Sequence, residues 1–198
     1  MNEAGRRTPL AGVFVGGPGR RMGGKAKGLL HAPGGVTIVE RWKELLGELG
    51  VPVVLVGDAS AYEGLGMEGL QDEPPGVGPL GGLVALLRHA GERGALAFAC
   101  DMPFVSRGLV ERLVAHVDAP VVAPRREGRW EPLCARYAAG VLPAAVARAA
   151  SPHHSLQRLL DENGAVELPL TPEEVGQLRD WDSPEDMWSP RPPHDPQR

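Results

Sequence analysis

Short apolar runs recur along the first part of the chain and constrain its fold more than any other feature. The runs at 10–15, 51–56 and 95–100 are rich in Val, Leu and Ala, and glycine directly follows the first two. Short apolar runs bounded by glycine are typical of buried strands. Segments with apolar residues at helical spacing lie between them. This alternation requires crossover connections, so the sequence predicts an α/β fold with a mostly parallel sheet and helices on both faces.

Capping residues mark the helix boundaries between these strands. Thr37 and Glu40 form a Thr-x-x-Glu capping box, and Gly50 stands where helices commonly end. Residues 80–89 carry apolar side chains on one helical face. Ser106 is a candidate N-cap for a third helix. We therefore expect three helices before residue 123.

The pattern is more mixed after a further strand that we predict at 121–123. A hairpin is expected over 125–137, turning at Glu127-Gly128. Helical patterns follow at 141–149 and 155–161. These elements extend the same α/β arrangement and give no sign of a second domain.

The end of the chain differs in composition from the rest. Its last nine residues contain four prolines and no apolar periodicity, which is typical of a disordered tail. The predicted organisation is therefore one domain over residues 1–189, built as a Rossmann-like three-layer sandwich, and a disordered Pro-rich tail at 190–198.

Charge, hydropathy and cysteine content exclude several classes of protein. A formal net charge of −4 argues against a binder of duplex nucleic acid. No apolar stretch approaches the ~20 residues needed to span a bilayer, and the N-terminus lacks the apolar core of a secretory signal. Cys100 and Cys134 are too few for a disulfide framework or a four-cysteine zinc site. We expect a cytoplasmic protein with two reduced, buried thiols and no nucleic-acid or membrane partner.

A glycine-rich loop at 16–28 directly follows the first strand. Ligands of open parallel sheets bind beyond the carboxyl ends of the strands, and glycines there let backbone N–H groups approach phosphates closely. The loop holds Lys25 and Lys27, two of only three lysines in a chain with 18 arginines. Lysine is a compact point charge suited to phosphate. The loop is therefore interpreted as a phosphate-binding loop, the alternative being a flexible surface loop.

Two standard phosphate motifs fail against this loop. The dinucleotide fingerprint G-x-G-x-x-G needs a glycine where Met22 stands. A P-loop needs a hydroxyl where Ala26 stands, and a helix that begins at the preceding lysine. The predicted first helix begins only at the Thr37 cap, so a P-loop kinase or GTPase is a minor alternative.

Two aspartates, Asp101 and Asp72, are candidates for a nucleotide phosphate site because of their positions in loops. Asp101 directly follows the strand at 95–100, where a carboxylate is a natural Mg²⁺ ligand facing nucleotide phosphates. From topology alone, a turn-capping role is equally favoured. Asp72 precedes a Gly-Pro segment at 78–79 that is typical of a helix start. Taken alone, Asp72 would more often be a solvated loop acid.

The glycine-rich loop reads Gly16-Gly17-x-x-Arg-Arg-Met-Gly-Gly-x-x-Lys27-Gly-Leu-Leu. It resembles the loop of nucleotidyltransferases that share the glycosyltransferase-A-like fold, and most closely that of the molybdenum cofactor guanylyltransferase family. The Cys-Asp-Met-Pro-Phe segment around Asp101 and the Asp72 segment are similar to further motifs of that family. The resemblance runs from about residue 10 to 186 and implies the same α/β nucleotidyltransferase fold.

This resemblance also implies the site residues. It assigns catalysis to Lys27 and Asp101, and it assigns metal binding to Asp101 and Asp182. The implied nucleotide-binding residues are Phe14, Val15, Gly16, Gly17, Arg21, Lys27, Asp72 and Asp101.

The sequence departs from the family pattern at several positions. Phe14 and Val15 replace the usual Leu-Ala, which keeps an apolar strand end, and Ala26 replaces the aspartate before the lysine. Asp180 and Asp182 replace the two asparagines of a late Asn-x-Asn-Thr-Pro-Glu motif. Asp182 has two equally weighted interpretations, a second metal ligand or the cap of a short helix.

The segment 129–137 is similar to the family strand that borders the acceptor pocket. Four arginines lie in or beside it: Arg125, Arg126, Arg129 and Arg136. They are candidates to hold an anionic acceptor. For any single one of them, a solvated surface charge is the more common role.

The resemblance implies a reaction and its participants. GMP would pass from MgGTP to the phosphate of molybdopterin-bound molybdenum, with Mg²⁺ as the cofactor and pyrophosphate as the second product. The implied partners are GTP and the molybdopterin or molybdenum cofactor, with a molybdoenzyme or another cofactor-pathway protein as a further partner. Two alternatives stay open: a cytidylyltransferase of the same fold acting on molybdopterin or another phosphate, and a catalytically weak nucleotide-binding adaptor.

Overall fold

The computed structural model describes residues 8–16 and 26–181. The predicted tail at 190–198 lies outside these residues. No helix among them is long and apolar enough to cross a bilayer. The strands are β1 (Leu10–Phe14), β2 (Val53–Val56), β3 (Gly69–Leu70), β4 (Ala95–Ala99), β5 (Val121–Ala123), β6 (Arg125–Arg126), β7 (Arg129–Trp130), β8 (Cys134–Tyr137) and β9 (Val166–Glu167). The helices are α1 (Ile38–Glu48), α2 (Pro79–Ala90), α3 (Arg107–Ala115), α4 (Leu142–Ala149), α5 (Leu156–Glu162) and α6 (Pro172–Gln177).

Within the described residues, seven strands form one sheet in the order β3-β2-β1-β4-β8-β5-β9. The β8 strand runs antiparallel to β4 and β5, and the other neighbouring strands are parallel. This confirms the predicted mostly parallel sheet. The chain passes from β1 to β2 and β3 on one side and then crosses to β4 on the other side of β1. Ligands of open α/β sheets bind at the carboxyl ends of strands where the order reverses in this way.

Apolar side chains cover both faces of the sheet and make it the middle of three layers. One face packs against α2, α4 and α5, and the other packs against α1 and α3. On the second face the rings of Trp42 and Phe98 stack at a centroid distance of 4.4 Å. The predicted three-layer sandwich is confirmed.

The predicted caps are present in the structure. The Thr37 hydroxyl accepts from the Glu40 backbone N–H while the Glu40 carboxylate accepts from the Thr37 N–H. Ser106 caps α3 by accepting from the Leu109 N–H. Each cap satisfies backbone donors that a helix start leaves unpaired.

Helix α2 is more buried than its sequence pattern predicts. The pattern indicates one apolar face, yet nine of the 12 residues are buried. The reason is that α2 lies between the sheet and α4, which covers its outer side. The apolar residues of α2 therefore extend beyond the single face that packs on the sheet.

The hairpin predicted over 125–137 is only partly correct. Its turn is at Glu127-Gly128, with φ of 52° and 77°, but only β6 and β7 pair across it. The side chain of Gln157 holds β7 from α5 by bonding the Trp130 backbone N–H and C=O. Residues 134–137 are buried and pair instead with β4 and β5 in the main sheet.

A C-terminal segment returns the chain to the carboxyl end of β4. It contains β9 and α6, which the sequence pattern did not predict. The Glu174 carboxylate on α6 accepts from Arg112 at 2.6 Å and 2.7 Å, and the Ser106 backbone N–H donates to Gln177. The Trp181 N–H then donates to the Asp101 carbonyl at 2.9 Å. The Arg112 side chain on α3 and the backbone of its N-cap residue Ser106 therefore hold the segment that ends beside Asp101.

We expect the substitution Glu174→Gln to make the free energy of unfolding less sensitive to acid. Burial raises the pKa of the Glu174 carboxyl, but hydrogen bonds from Arg112 and Thr171 outweigh it and leave the pKa below its ordinary value of 4.5. A lowered folded-state pKa contributes stability that is present above pH 4.5 and is lost as the pH falls through the folded value. Urea unfolding at neutral pH and at about pH 3.5 measures this contribution. Equal acid sensitivity of the wild-type and variant proteins would contradict the assignment.

Candidate active site

A cavity of about 820 Å³ opens at the carboxyl ends of β1, β2 and β4. It lies where the strand order reverses, which is the position expected for a ligand in this kind of sheet. Its volume is in the range of small-molecule sites, about 300–1,000 Å³. Its lining residues are Phe14, Val15, Gly16, Ala26, Lys27, Val56, Asp58, Ser60, Ala61, Tyr62, Asp72, Gly76, Gly78, Pro79, Ala99, Cys100, Asp101 and Leu133.

Two glycines bring the walls of this cavity together. Gly57 follows β2 with a φ of 102°, and a Cβ atom there would lie 2.8 Å from the Gly16 Cα atom. On α2, a Cβ atom at Gly82 would lie 2.8 Å from the Phe14 ring and 3.1 Å from Asp72 Oδ1. A side chain at either position would therefore force the backbone or the wall apart.

The loop lysine and the strand-end aspartate meet in the cavity wall. Lys27 Nζ donates to Asp101 Oδ2 at 3.1 Å, although the residues are 74 positions apart. Both side chains keep partial exposure, 23% and 20%. Lys27 stands at the start of a 3-10 helix, Lys27–Leu29, and Asp101 follows β4. The arrangement places an ammonium group and a carboxylate oxygen within one hydrogen bond of each other.

The structure also decides against the P-loop alternative. A P-loop lysine begins the helix that follows the loop. Here the described residues 26–37 hold only the 3-10 helix Lys27–Leu29, and α1 begins at Ile38.

Asp72 reaches the cavity from the segment before α2. Burial raises the pKa of its carboxyl above the ordinary value. Gly78 is the N-cap of α2 and Pro79 is its first residue, as predicted, and both lie in the cavity wall. The start of α2 therefore faces the same space as Asp72, and backbone donors at a helix start favour anions.

The donor set fits a hard divalent cation such as Mg²⁺. The described residues contain no cluster of three or more His, Cys, Asp or Glu side chains. Mg²⁺ is commonly held by one or two carboxylates together with substrate phosphates and water, so a carboxylate such as Asp101 in the wall of a small-molecule cavity suits it. Asp182 directly follows Trp181, whose N–H bonds the Asp101 carbonyl, but Asp182 itself lies outside the described residues.

A comparison with protein-family models matches residues 11–167 to the MobA-like NTP transferase domain. The chain belongs to this family. It is therefore a nucleotidyltransferase, and the match includes all the residues that line the cavity.

Individual relatives agree with this membership. A probable molybdenum cofactor guanylyltransferase of Mycobacterium tuberculosis is 36% identical over 170 residues, 81% of this chain and 84% of the relative. A molybdenum cofactor guanylyltransferase of Cereibacter sphaeroides is 36% identical over 141 residues, 68% of this chain and 69% of the relative. The crystal structure of molybdopterin-guanine dinucleotide biosynthesis protein A from Archaeoglobus fulgidus superposes with a TM-score of 0.73 at 26% identity, covering 90% of this chain and 95% of that one.

Most of the site residues predicted for this nucleotidyltransferase come together in the structure. Phe14, Val15, Gly16, Lys27, Asp72 and Asp101 all line the cavity. Gly17, Arg21 and Asp182 lie outside the described residues, as does Lys25. The structure shows that six of the predicted residues share one cavity, and the roles of all of the predicted site residues stay predictions.

The sequence analysis missed the segment after β2. Asp58, Ser60 and Tyr62 line the cavity, and the Tyr62 hydroxyl accepts from the Gly28 backbone N–H at 3.2 Å. A signal was present, because the run at 51–56 ends at glycine in the same way as the first strand. Side chains just beyond a parallel strand belong at the ligand edge of the sheet.

The four arginines near the acceptor-like segment have different environments. Arg136 is only 7% exposed, on the α1 and α3 side of the sheet, so it is neither a solvated charge nor a cavity residue. Arg126 pairs with Glu131 at 2.7 Å, and Arg125 lies over the Trp130 ring at 3.9 Å. The hypothesis of an anion-binding set is therefore wrong for Arg136, because this residue is buried and pairs with Leu96 near the start of β4, away from the strand ends that form the cavity.

Proposed function

We propose that this nucleotidyltransferase transfers GMP from MgGTP to the phosphate of molybdopterin-bound molybdenum cofactor and releases pyrophosphate. The observation that carries the proposal is the hydrogen bond of 3.1 Å from Lys27 Nζ to Asp101 Oδ2. It lies in the wall of the cavity at the carboxyl ends of β1, β2 and β4. The names of the relatives support the choice of guanine nucleotide and of acceptor.

Transfer of this kind places modest chemical demands on the protein. The acceptor phosphate attacks the α-phosphorus in line, and a phosphate monoester is a competent nucleophile without a strong general base. Catalysis then consists of positioning and of stabilising charge. The Lys27 ammonium supplies fixed positive charge to the phosphates, and Asp101 holds that ammonium at the cavity wall before the nucleotide enters.

Asp101, with Asp182 as the second ligand, is the proposed holder of Mg²⁺. When bound, the ion neutralises negative charge that develops on the transferring phosphates. Backbone donors near Gly16 and at the start of α2 orient the phosphates and the base, and Asp72 contacts the nucleotide from the opposite wall. We propose cytoplasmic action, with the product passed to a molybdoenzyme or another cofactor-pathway protein.

A catalytically weak adaptor is the alternative that Ala26 favours. The family aspartate at that position would lie beside the lysine in sequence, and Ala26 removes it. The structure nevertheless gives Lys27 a carboxylate partner, because Asp101 reaches it from β4. This pairing favours a working enzyme.

We expect GTP to be preferred over CTP by about tenfold or more. Gly16 lines the cavity at the end of β1 without a side chain, which leaves room for a purine. Guanine presents donors and acceptors that a pocket lined by backbone can bond. Losing one such hydrogen bond and leaving its partner buried costs at least that factor. Pyrophosphate release with molybdopterin or molybdenum cofactor as acceptor, run in parallel with GTP, CTP, ATP and UTP, measures the preference.

The other outcomes of this assay are informative. A clear preference for CTP would place the chain with the cytidylyltransferases of the same fold. Measurable GTP binding without turnover on any nucleotide would favour the adaptor.

A further inference from the structure

Tyr62 connects the segment that follows β2 to the 3-10 helix Lys27–Leu29, and both line the cavity. It belongs to a 3-10 helix, Ser60–Leu65, that follows β2, and its side chain is only 2% exposed. Its hydroxyl oxygen accepts from the buried Gly28 backbone N–H at 3.2 Å. Gly28 directly follows Lys27, so this bond fixes the backbone one residue from the ammonium-bearing side chain.

The Gly28 backbone is enclosed on more than one side. A Cβ atom there would lie 2.5 Å from Val39 Cγ2 on α1 and 2.9 Å from the Tyr62 hydroxyl oxygen. The segment is therefore held between α1 and the β2 side of the cavity.

We propose that Tyr62 is a positioning residue for nucleotidyl transfer, which holds the Gly28 backbone so that Lys27 stays against Asp101 in the cavity wall. Tyr62 does not touch the reacting atoms in this account. It acts through the lysine, whose ammonium is 3.1 Å from Asp101. The inference rests on the proposed function in that it takes Lys27 to act on the nucleotide phosphates.

The hydroxyl is suited to this role because it remains a hydroxyl. Burial raises the pKa of Tyr62 to about 12, and the nearby Cys100 contributes in the same direction. The phenol stays neutral near pH 7, so its oxygen accepts from the Gly28 N–H as a hydroxyl. Removing the hydroxyl takes from a buried N–H an acceptor that phenylalanine cannot replace.

The test is a double-mutant cycle of Tyr62→Phe and Lys27→Ala in the full chain, read as kcat/KM for GTP. We expect Tyr62→Phe to lower kcat/KM about tenfold in the wild-type background, as for a lost hydrogen bond that leaves its buried donor unpaired. In the Lys27→Ala background the same change should cost less than about twofold, because the lysine it positions is absent. An equal loss in both backgrounds, or no loss in either, would overturn the proposal.

Tyr137→Phe is the matched control. Tyr137 is fully buried and its hydroxyl donates to the Pro132 carbonyl at 2.8 Å, so the substitution deletes the same group away from the lysine. It should lower the unfolding temperature without changing the reactivity of Lys27.

A second readout does not depend on turnover. Acetylation of Lys27 by acetic anhydride, followed by peptide mass spectrometry, should become several-fold faster in Tyr62→Phe and stay unchanged in Tyr137→Phe. Unchanged labelling in Tyr62→Phe would overturn the proposal. If no nucleotide is turned over, the proposed function fails, and this labelling still decides whether Tyr62 positions the lysine.

Discussion

Replacing Lys27 with alanine is expected to lower the rate of nucleotidyl transfer by about 10²-fold or more, the usual effect of removing one preorganised charge stabiliser. The structure gives the reason, since Lys27 reaches the cavity wall and lies 3.1 Å from Asp101. Single-turnover pyrophosphate release with saturating GTP measures the chemical step. The unfolding temperature, measured in parallel, separates this effect from a loss of folded protein.

Lys25→Ala is the matched control, because it removes the same charge from the same loop. Only Lys27 keeps the family spacing from Gly16-Gly17, so the control should show a mild effect. Equal losses in both variants, or a loss in Lys25→Ala alone, would contradict the assignment of Lys27.

Asp101→Asn is expected to remove most turnover, also about 10²-fold or more, while leaving the fold intact. An amide keeps the volume of the carboxylate but loses its charge, and it is a weaker ligand for a hard divalent cation. The substitution also removes the ionic partner of Lys27. Titration of turnover with Mg²⁺ should show that the variant needs a higher concentration of metal.

Asp182→Asn is the comparison variant for Asp101→Asn, because it makes the same change at the second proposed metal ligand. The resembling family carries asparagine at that position, so we expect a gentler effect on turnover. An Asp101→Asn protein with the same Mg²⁺ dependence as the wild type would exclude Asp101 as the metal ligand.

Local signals in the sequence predicted much of the fold and the centre of the site. Capping residues such as Thr37 and Ser106 act within one helical turn, so their role is readable without tertiary contacts. The glycine-rich loop follows β1 and Asp101 follows β4, so the sequence placed both at the carboxyl edge of a parallel sheet. The shared role of Lys27 and Asp101 was predicted from the resemblance to a nucleotidyltransferase family, whose motif spacing can be seen in the sequence.

Other features depend on contacts that no local pattern encodes. The insertion of β8 between β4 and β5 follows from long-range pairing, and it decides that Arg136 is buried rather than facing an acceptor. The burial of the outer side of α2 depends on α4, more than 50 residues later in the chain. The hydrogen bond from the Gly28 N–H to the Tyr62 hydroxyl joins residues 34 positions apart, and no local sequence pattern predicts this pairing.

Thermal unfolding of the wild-type protein with Mg²⁺ and each of GTP, CTP, ATP and UTP tests the central claim most directly, because it needs no acceptor. A ligand at about 100 times its Kd stabilises the folded state by about 2.7 kcal/mol, which raises the unfolding temperature of a protein of this size by about 5–10 °C. The account predicts a shift of this order with GTP, a smaller one with the other nucleotides, and a reduced GTP shift in Lys27→Ala. No shift with any nucleotide, or a larger shift with CTP than with GTP, would contradict it.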